Sequence, residues 1–279
     1  VIVLLISFYA FLKAFSRKAL PDYNSEITIP GMIDEVIVYR DKYAVPTIYA
    51  KNEADLYRAV GYVMAQDRLW QMDLIRRITQ GRLSEIFGDK YIETDLLFRA
   101  LRISEKSAEI IKIQPEEMIT MINSFTEGVN YYIQNENLPV EFKILGYKPE
   151  EWTPENSLNI IGYIGWDLGT AWSNETLASE IKNIVDEEKA KALFPDFKDD
   201  ETIFKNSEDT LSSDLKNELI SKIELIEDLG ITPLLASNNL AVSGEKSTTG
   251  KPILANDMHL SYNNPGIWYE IHQVIEGEL

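Results

Sequence analysis

A chain of 279 residues, 45% hydrophobic and 26% charged, is globular in composition and long enough for one large domain or two small ones. Twenty-seven basic against forty-five acidic residues give a net charge of −18 and a pI near 4.6; with no basic stripe in the sequence, nucleic acid is excluded as an expected partner. The absence of cysteine, with His259 and His272 as the two histidines, removes thiol nucleophiles, disulfides, iron–sulfur clusters and Cys/His zinc sites, leaving oxygen and amine groups for any chemistry.

Residues Val1 to Leu12 are almost wholly apolar and are followed by Lys13, Arg17 and Lys18. This pattern predicts a truncated signal peptide or an N-terminal membrane anchor over residues 1–20, with a buried helix as the alternative. Export to an extracytoplasmic compartment follows from either of the first two readings. Val1 in place of Met, and an end at Leu279 inside a strand-like pattern, predict a fragment at both ends.

After Pro21, IDEVIVYRDKYAVPTIYA alternates apolar and polar residues and breaks near Pro46, which predicts two short strands around a turn. From Asn52 the apolar spacing becomes helical, and Gly81 and Gly88 close helical segments. Further helical patterns cover Ser104 to Ile113, Pro115 to Asn135 and Thr153 to Val185, the last opened by Pro154. Between Asp186 and Asp228 fourteen acidic residues face six lysines, which reads as an exposed acidic connector with a solvated helix over Leu215 to Leu229. From Ala236, SNNLAVSG, a turn at Glu245 to Gly250 and KPILAND predict a hairpin.

Three look-alike motifs carry no weight. Ser243 to Lys246 spells S-x-x-K, but Gly244 and the following STTG make a turn where that motif needs a helix. Gly244 to Lys251 mimics a phosphate-binding loop with one residue too many between its glycines and Pro252 where a hydroxyl should follow. Asn174-Glu175-Thr176 fits a glycosylation sequon of a kind common by chance.

Two blocks together are informative. The segment Tyr39 to Gly88 contains Gly61-Tyr62, Ala65-Gln66-Asp67-Arg68-Leu69, Gln71-Met72-Asp73, Arg76-Arg77 and Gly81-Arg82-Leu83-Ser84-Glu85; the second block is SNNLAVSGEKSTTGKPILANDMHL, Ser237 to Leu260. Both resemble the penicillin acylase family of N-terminal-nucleophile hydrolases, and WTPENSLNIIGYIGWDLGTAWSNETL between them is similar to late helices of that family's α-subunit.

The resemblance implies an α+β fold, the αββα sandwich of these hydrolases, incomplete in this chain. It divides the sequence into an α-subunit region at 21–200, an acidic spacer at 201–236 and the start of a β-subunit at 237–279, with the rest of the β-subunit as partner of the processed protein. It implies a precursor that cuts itself between Ala236 and Ser237, freeing a serine whose own α-amine, with a reference pKa near ~8, acts as general base. That chemistry needs no histidine. Alternatively, Ser237 merely begins a strand.

By the same resemblance His259 supports the amine of the nucleophile and the leaving group through its backbone or side chain. Asn239 fixes the strand end, and Asn256 and Asp257 position the loop or simply form a turn. Glu175, through Trp172-x-x-Glu175, matches a glutamate that helps bind a structural calcium ion, whose other ligands are expected beyond Leu279; a plain surface glutamate is the alternative. The helix around Gly165 to Ala171 and Leu260 are expected to wall an acyl pocket.

The expected substrate is a small N-acyl amide, penicillin-type or related, and the expected reaction is hydrolysis of its linear amide bond. An acyl-homoserine lactone acylase of the same family, or an anchored homologue that is never processed, are the alternatives. Several residues depart from the family pattern: Leu240 stands for a tryptophan, Ala44 and Ala236 for glycines, and Thr47 for a histidine. The oxyanion donors of the family come from later in the β-subunit, so this chain alone is expected to be inactive.

Overall fold

The computed structural model describes residues 19–169, 187–193, 236–260 and 263–277 continuously, with isolated positions at 6–17, 181–185 and 225–229. The sequon with Glu175, most of the spacer and most of the N-terminal apolar segment lie outside the described residues. Among those described, no helix is long and apolar enough to cross a membrane.

Two compact units divide the chain: residues Val1–Tyr163 with Trp268–Leu279, and residues Ile164–Ile267. The first begins with the expected hairpin, β1 (Ile37–Arg40) antiparallel to β2 (Pro46–Ala50). The third strand, β5 (His272–Ile275), lies parallel to β2, giving the sheet order β1-β2-β5. Pro46, Ile48 and Ala50 are buried on one face of β2. On the other face Tyr39 and Tyr49 meet edge-on at 5.9 Å, and Thr47 is paired with His272.

Helix α1 (Glu53–Gln80) is the spine of this unit. The Asn52 side chain accepts from the Asp55 N–H at its start, and Gly81 ends it at φ 61°, a left-handed position that also brings the backbone close to Asp95. After the short α2 (Ser84–Phe87), α3 (Ile92–Leu101) and α4 (Ile103–Ile110), helix α5 (Glu116–Asn135) packs along α1. Two glycines permit the approach. A Cβ at Gly61 would stand 2.1 Å from Phe125 O, and one at Gly128 would stand 1.9 Å from Arg58 O. Leu56, Val60, Val63, Leu69 and Met72 of α1 then form one core with Val129, Tyr132, Phe142 and Trp152.

Helix α6 (Val140–Leu145) follows, and α7 (Pro154–Leu168) opens at the expected proline. Its range ends at Leu168; most of the remainder of the helical pattern drawn to Val185 lies outside the described residues. Helix α8 (Glu187–Leu193) is the continuously described part of the acidic connector. In the second unit β3 (Ala236–Val242) and β4 (Ile253–His259) form the expected hairpin. Helices dominate the first part and strands the last, so the described elements are α+β, with one three-stranded and one two-stranded sheet.

Candidate functional site

The two sequence blocks have different physical roles. In the first, the charged residues serve the scaffold. Asp73, 1% exposed, accepts from both Arg76 and Arg77 one turn further along α1, and Tyr147 Oη donates to the same carboxylate at 2.7 Å. Arg76 also donates to the carbonyls of Glu150 and Glu151 and lies over the Trp152 ring. Arg82 bridges Glu85 and Glu150 at 2.7–2.9 Å, and Arg77 reaches Glu85. The Arg82 bonds hold the Glu150 carboxyl down at about 2, against burial, which pushes the other way. Buried ions on one helix face, each paired and hydrogen-bonded, fix the chain that crosses it at 147–152.

Three further carboxylates gather donors, two from backbone and one from side chains. Asp55, fully buried, takes the N–H groups of Ile33 and Asp34; burial raises its pKa, but these bonds and those from Asn52 outweigh it and leave the carboxyl below its ordinary range. Asp95 caps α2 through the N–H groups of Leu83 and Ser84. Asp67 collects Arg40 at 2.7 Å, Tyr23 Oη at 2.8 Å and Tyr269 Oη at 2.5 Å. Burial first, then the bond to Asp67, pushes the Tyr23 phenol up to about 12 and raises that of Tyr269 further.

The second block forms the β3–β4 ladder. Ser237 is paired with Met258, Asn239 with Asn256, Asn238 with Asp257 and Ala236 with His259. Paired side chains of an antiparallel ladder share a face, and successive residues alternate. Ser237 and Asn239 therefore lie on one face with Met258 and Asn256. His259 lies on the other with Asn238 and Asp257, and its Nε2 accepts from Asn238 Nδ2 at 2.7 Å while Asp257 Oδ2 stands 3.6 Å from Nδ1.

The Ala236–Ser237 peptide lies inside β3. Ser237, Asn239 and His259 are exposed, and so are Leu240 and Leu254 on opposite faces, at 62% and 78%. Between the strands, Gly244 to Lys246 makes a 3-10 turn, and a Cβ at Gly244 would meet Gly250 O at 2.4 Å. The phosphate-loop look-alike is thus a hairpin connection leading into a strand rather than a helix.

The structure brings Ser237 and Asn239 to one face, as their spacing of two requires, and leaves the His259 side chain on the reverse. Sequence reading passed over Asn238; its signal was a position two residues along from Ala236, the partner of His259, which needs the pairing register to be used. Tyr269 was also passed over, because its partners lie more than 200 residues away. Among the described residues no group of three or more His, Asp or Glu is placed to hold a metal ion, and Glu175 lies outside them.

The penicillin amidase family model matches residues 35–278. Penicillin acylase 2 proenzyme of Pseudomonas sp. (strain SE83) is 32% identical over 263 residues, covering 92% of this chain and 34% of that protein. Acyl-homoserine lactone acylase QuiP of Pseudomonas syringae pv. syringae (strain B728a) is 29% identical over 248 residues, covering 86% and 30%. A thermostable penicillin G acylase structure from Alcaligenes faecalis aligns at a TM-score of 0.48 and 26% identity, covering 58% of this chain and 90% of that one. The chain spans about a third of the length of the two Pseudomonas relatives.

Proposed function

The chain belongs to the penicillin amidase family, and from that premise we propose that it is part of an N-acyl amide hydrolase precursor cut between Ala236 and Ser237. The observation that carries this is the continuity of the family match through residue 278, across both blocks and the serine that opens the second. The exposed setting of Ser237 near the start of a regular strand supports it, since a new terminus there would keep its strand pairing.

The mechanism follows from the groups of a terminal serine. Its neutral α-amine takes the hydroxyl proton as Oγ attacks the acyl carbonyl, forming the C–O bond and a tetrahedral oxyanion. Collapse breaks the C–N bond, the leaving amine receives that proton, and an acyl-ester remains on Ser237. Water, activated by the same α-amine, attacks the ester carbonyl and releases the acid. Asn239 shares the serine's face and holds the strand end, whereas the His259 side chain, turned to the reverse, contributes through backbone or neighbours.

Two substrate readings remain, each with a relative behind it. A penicillin-type amide follows the 32% identical acylase, and an acyl-homoserine lactone follows the 29% identical one. An extracytoplasmic site of action, by signal peptide or anchor, belongs to the same reading. So does a structural calcium ion with Glu175 among its ligands; the described residues offer no cluster for it. Calcium titration of the whole protein and its Glu175→Gln variant tests that assignment, and equal binding by both would remove Glu175 from it.

The central test is intact mass and N-terminal sequencing of the full-length protein in wild-type and Ser237→Ala forms. A chain beginning Ser-Asn-Asn in the wild type alone is the expected result. One uncut chain in both forms would overturn the reading in favour of a non-processing binding homologue.

A further inference from the structure

The unit built on α1 holds a cavity of about 750 Å³ that the serine chemistry does not use. Small-molecule sites occupy roughly 300–1,000 Å³, so the volume is that of a ligand site. Ala59, Tyr62, Val63 and Gln66 of α1 line one side, and the remaining walls come from the chain between Asp22 and Arg40 that leads into and forms β1. That chain is pinned at two points. Tyr23 donates to Asp67 at 2.8 Å, with the Arg40 guanidinium 4.0 Å from its ring centre, while Ile29, 6% exposed, enters the core. Between the pins, Ser25 to Thr28 are exposed and line the cavity.

Backbone polar groups also reach this region. Strand β1 stands at the end of the sheet order, and Asp41 N–H donates to Val45 O at its turn. Bonded pairs alternate along an antiparallel ladder, and Pro46, opposite Arg40, has no N–H to give; the backbone groups of Val38 and Arg40 therefore turn to the outer edge of β1. Val38 and Arg40 both line the cavity.

Charge and apolar surface together select an occupant. Asp22, Glu26, Asp34 and Glu35 line the cavity against one basic residue, Arg40, whose guanidinium is paired with Asp67. Asp34 meets Lys51 at 3.5 Å, whereas Glu26 and Glu35 make no hydrogen bond or ion pair among the described residues. These carboxylates do not gather round one point, since among the described residues no group of three or more acidic or histidine side chains is placed to hold a metal ion. Dispersed negative charge beside Met32, Val36, Ala59 and Val63 suits a cation that is itself extended and partly apolar, and the outward carbonyl of Val38 offers its N–H groups an acceptor.

We propose that this cavity binds a small organic ammonium ion with an apolar body, the charged end toward Glu26 and Glu35 and the body against α1. The site uses no residue of the β3–β4 hairpin and does not depend on the cut before Ser237.

The test is calorimetric titration of the full-length protein with octylammonium, and with octanoate and 1-octanol as probes of the same body and different charge. We expect octylammonium to bind with a Kd below about 1 mM, at least tenfold more tightly than octanoate, and equally to wild type and Ser237→Ala. Glu26→Gln with Glu35→Gln should weaken it roughly fivefold without weakening octanoate, because two exposed carboxylates lose their charge. Val38→Trp should abolish binding by filling the cavity; should that variant fail to fold, the glutamine pair decides.

No binding by the full-length protein, octanoate binding as tightly as octylammonium, or an affinity unchanged in the glutamine pair would overturn the site. Weakening by Ser237→Ala would place the probe at the serine and overturn it as well. An uncut wild type that binds octylammonium as expected would reject the Ser237 reading and leave this site standing.

Discussion

Tyr269 donates to Asp67 at 2.5 Å, joining two residues separated by 202 positions. The same carboxylate holds Arg40, the last residue of β1, and the Arg68 guanidinium lies 5.8 Å from the Tyr269 ring centre. Three residues on, β5 adds itself to β2, and the Glu276 N–H reaches Ala50 O. Chain from beyond the Ala236–Ser237 bond is thereby built into the same unit as α1. Tyr269→Phe should lower the unfolding free energy by about 1–2 kcal/mol, since a hydrogen bond to a charged acceptor is lost. Urea titration of the full protein measures it, and an unchanged midpoint would show that the bond contributes nothing.

Helices α1 and α5 touch through reciprocal glycines. Because Gly61 faces the Phe125 carbonyl and Gly128 the Arg58 carbonyl, neither backbone can retreat without moving a whole helix. Gly61→Ala and Gly128→Ala should each destabilise by at least ~2 kcal/mol, at or beyond the usual range for overpacking. Thermal unfolding is the check; retention of the wild-type midpoint by either variant would mean that the helices separate easily.

Ala44 occupies a left-handed conformation, φ 62°, in the turn between β1 and β2. The conformation costs a side-chain-bearing residue about 1–2 kcal/mol, partly offset in glycine by its greater freedom when unfolded. Ala44→Gly should therefore stabilise by roughly 0.5–1 kcal/mol. A lower midpoint for this variant would contradict the strain argument. Glycine, the residue that the family resemblance leads one to expect here, would take this backbone angle without the strain.

Glu150 titrates at about 2 in the folded chain because Arg82 bonds its charged form. A carboxylate depressed in this way contributes stability above its unfolded pKa, and loses that contribution as the pH falls from about 4.5 toward 2. The side chain is 55% exposed, so solvent screening limits the contribution to about 1 kcal/mol or less. Glu150→Gln should flatten the acid side of the stability profile between pH 4.5 and 2 while leaving its slope at neutral pH unchanged. Superimposable acid titrations of the two proteins would remove Glu150 from the account.

The local elements were legible because each carries its own period. Alternation around Pro46 marked β1 and β2, Asn52 and Gly81 marked the two ends of α1, and SNNLAVSG with KPILAND marked the β3–β4 hairpin. The charged motifs of α1 were legible as a family signature, yet their spacing did not reveal their physical role. Asp73, Arg76 and Arg77 stand three and four residues apart as on any helix face, and only the packing of Tyr147 and Trp152 over them makes that face interior.

The sequence by itself determined the family, the candidate serine and the strand on which that serine sits, because all three depend on residues near one another in the chain. Tertiary structure decided which residues meet. Side chains in a strand alternate with a period of two, so a shift of one residue in pairing would have brought His259 to the Ser237 face; the register sets it on the reverse, against Asn238. Likewise, Tyr269 meets Asp67 only because β5 lies parallel to β2, a pairing between distant segments that no local pattern in either of them encodes.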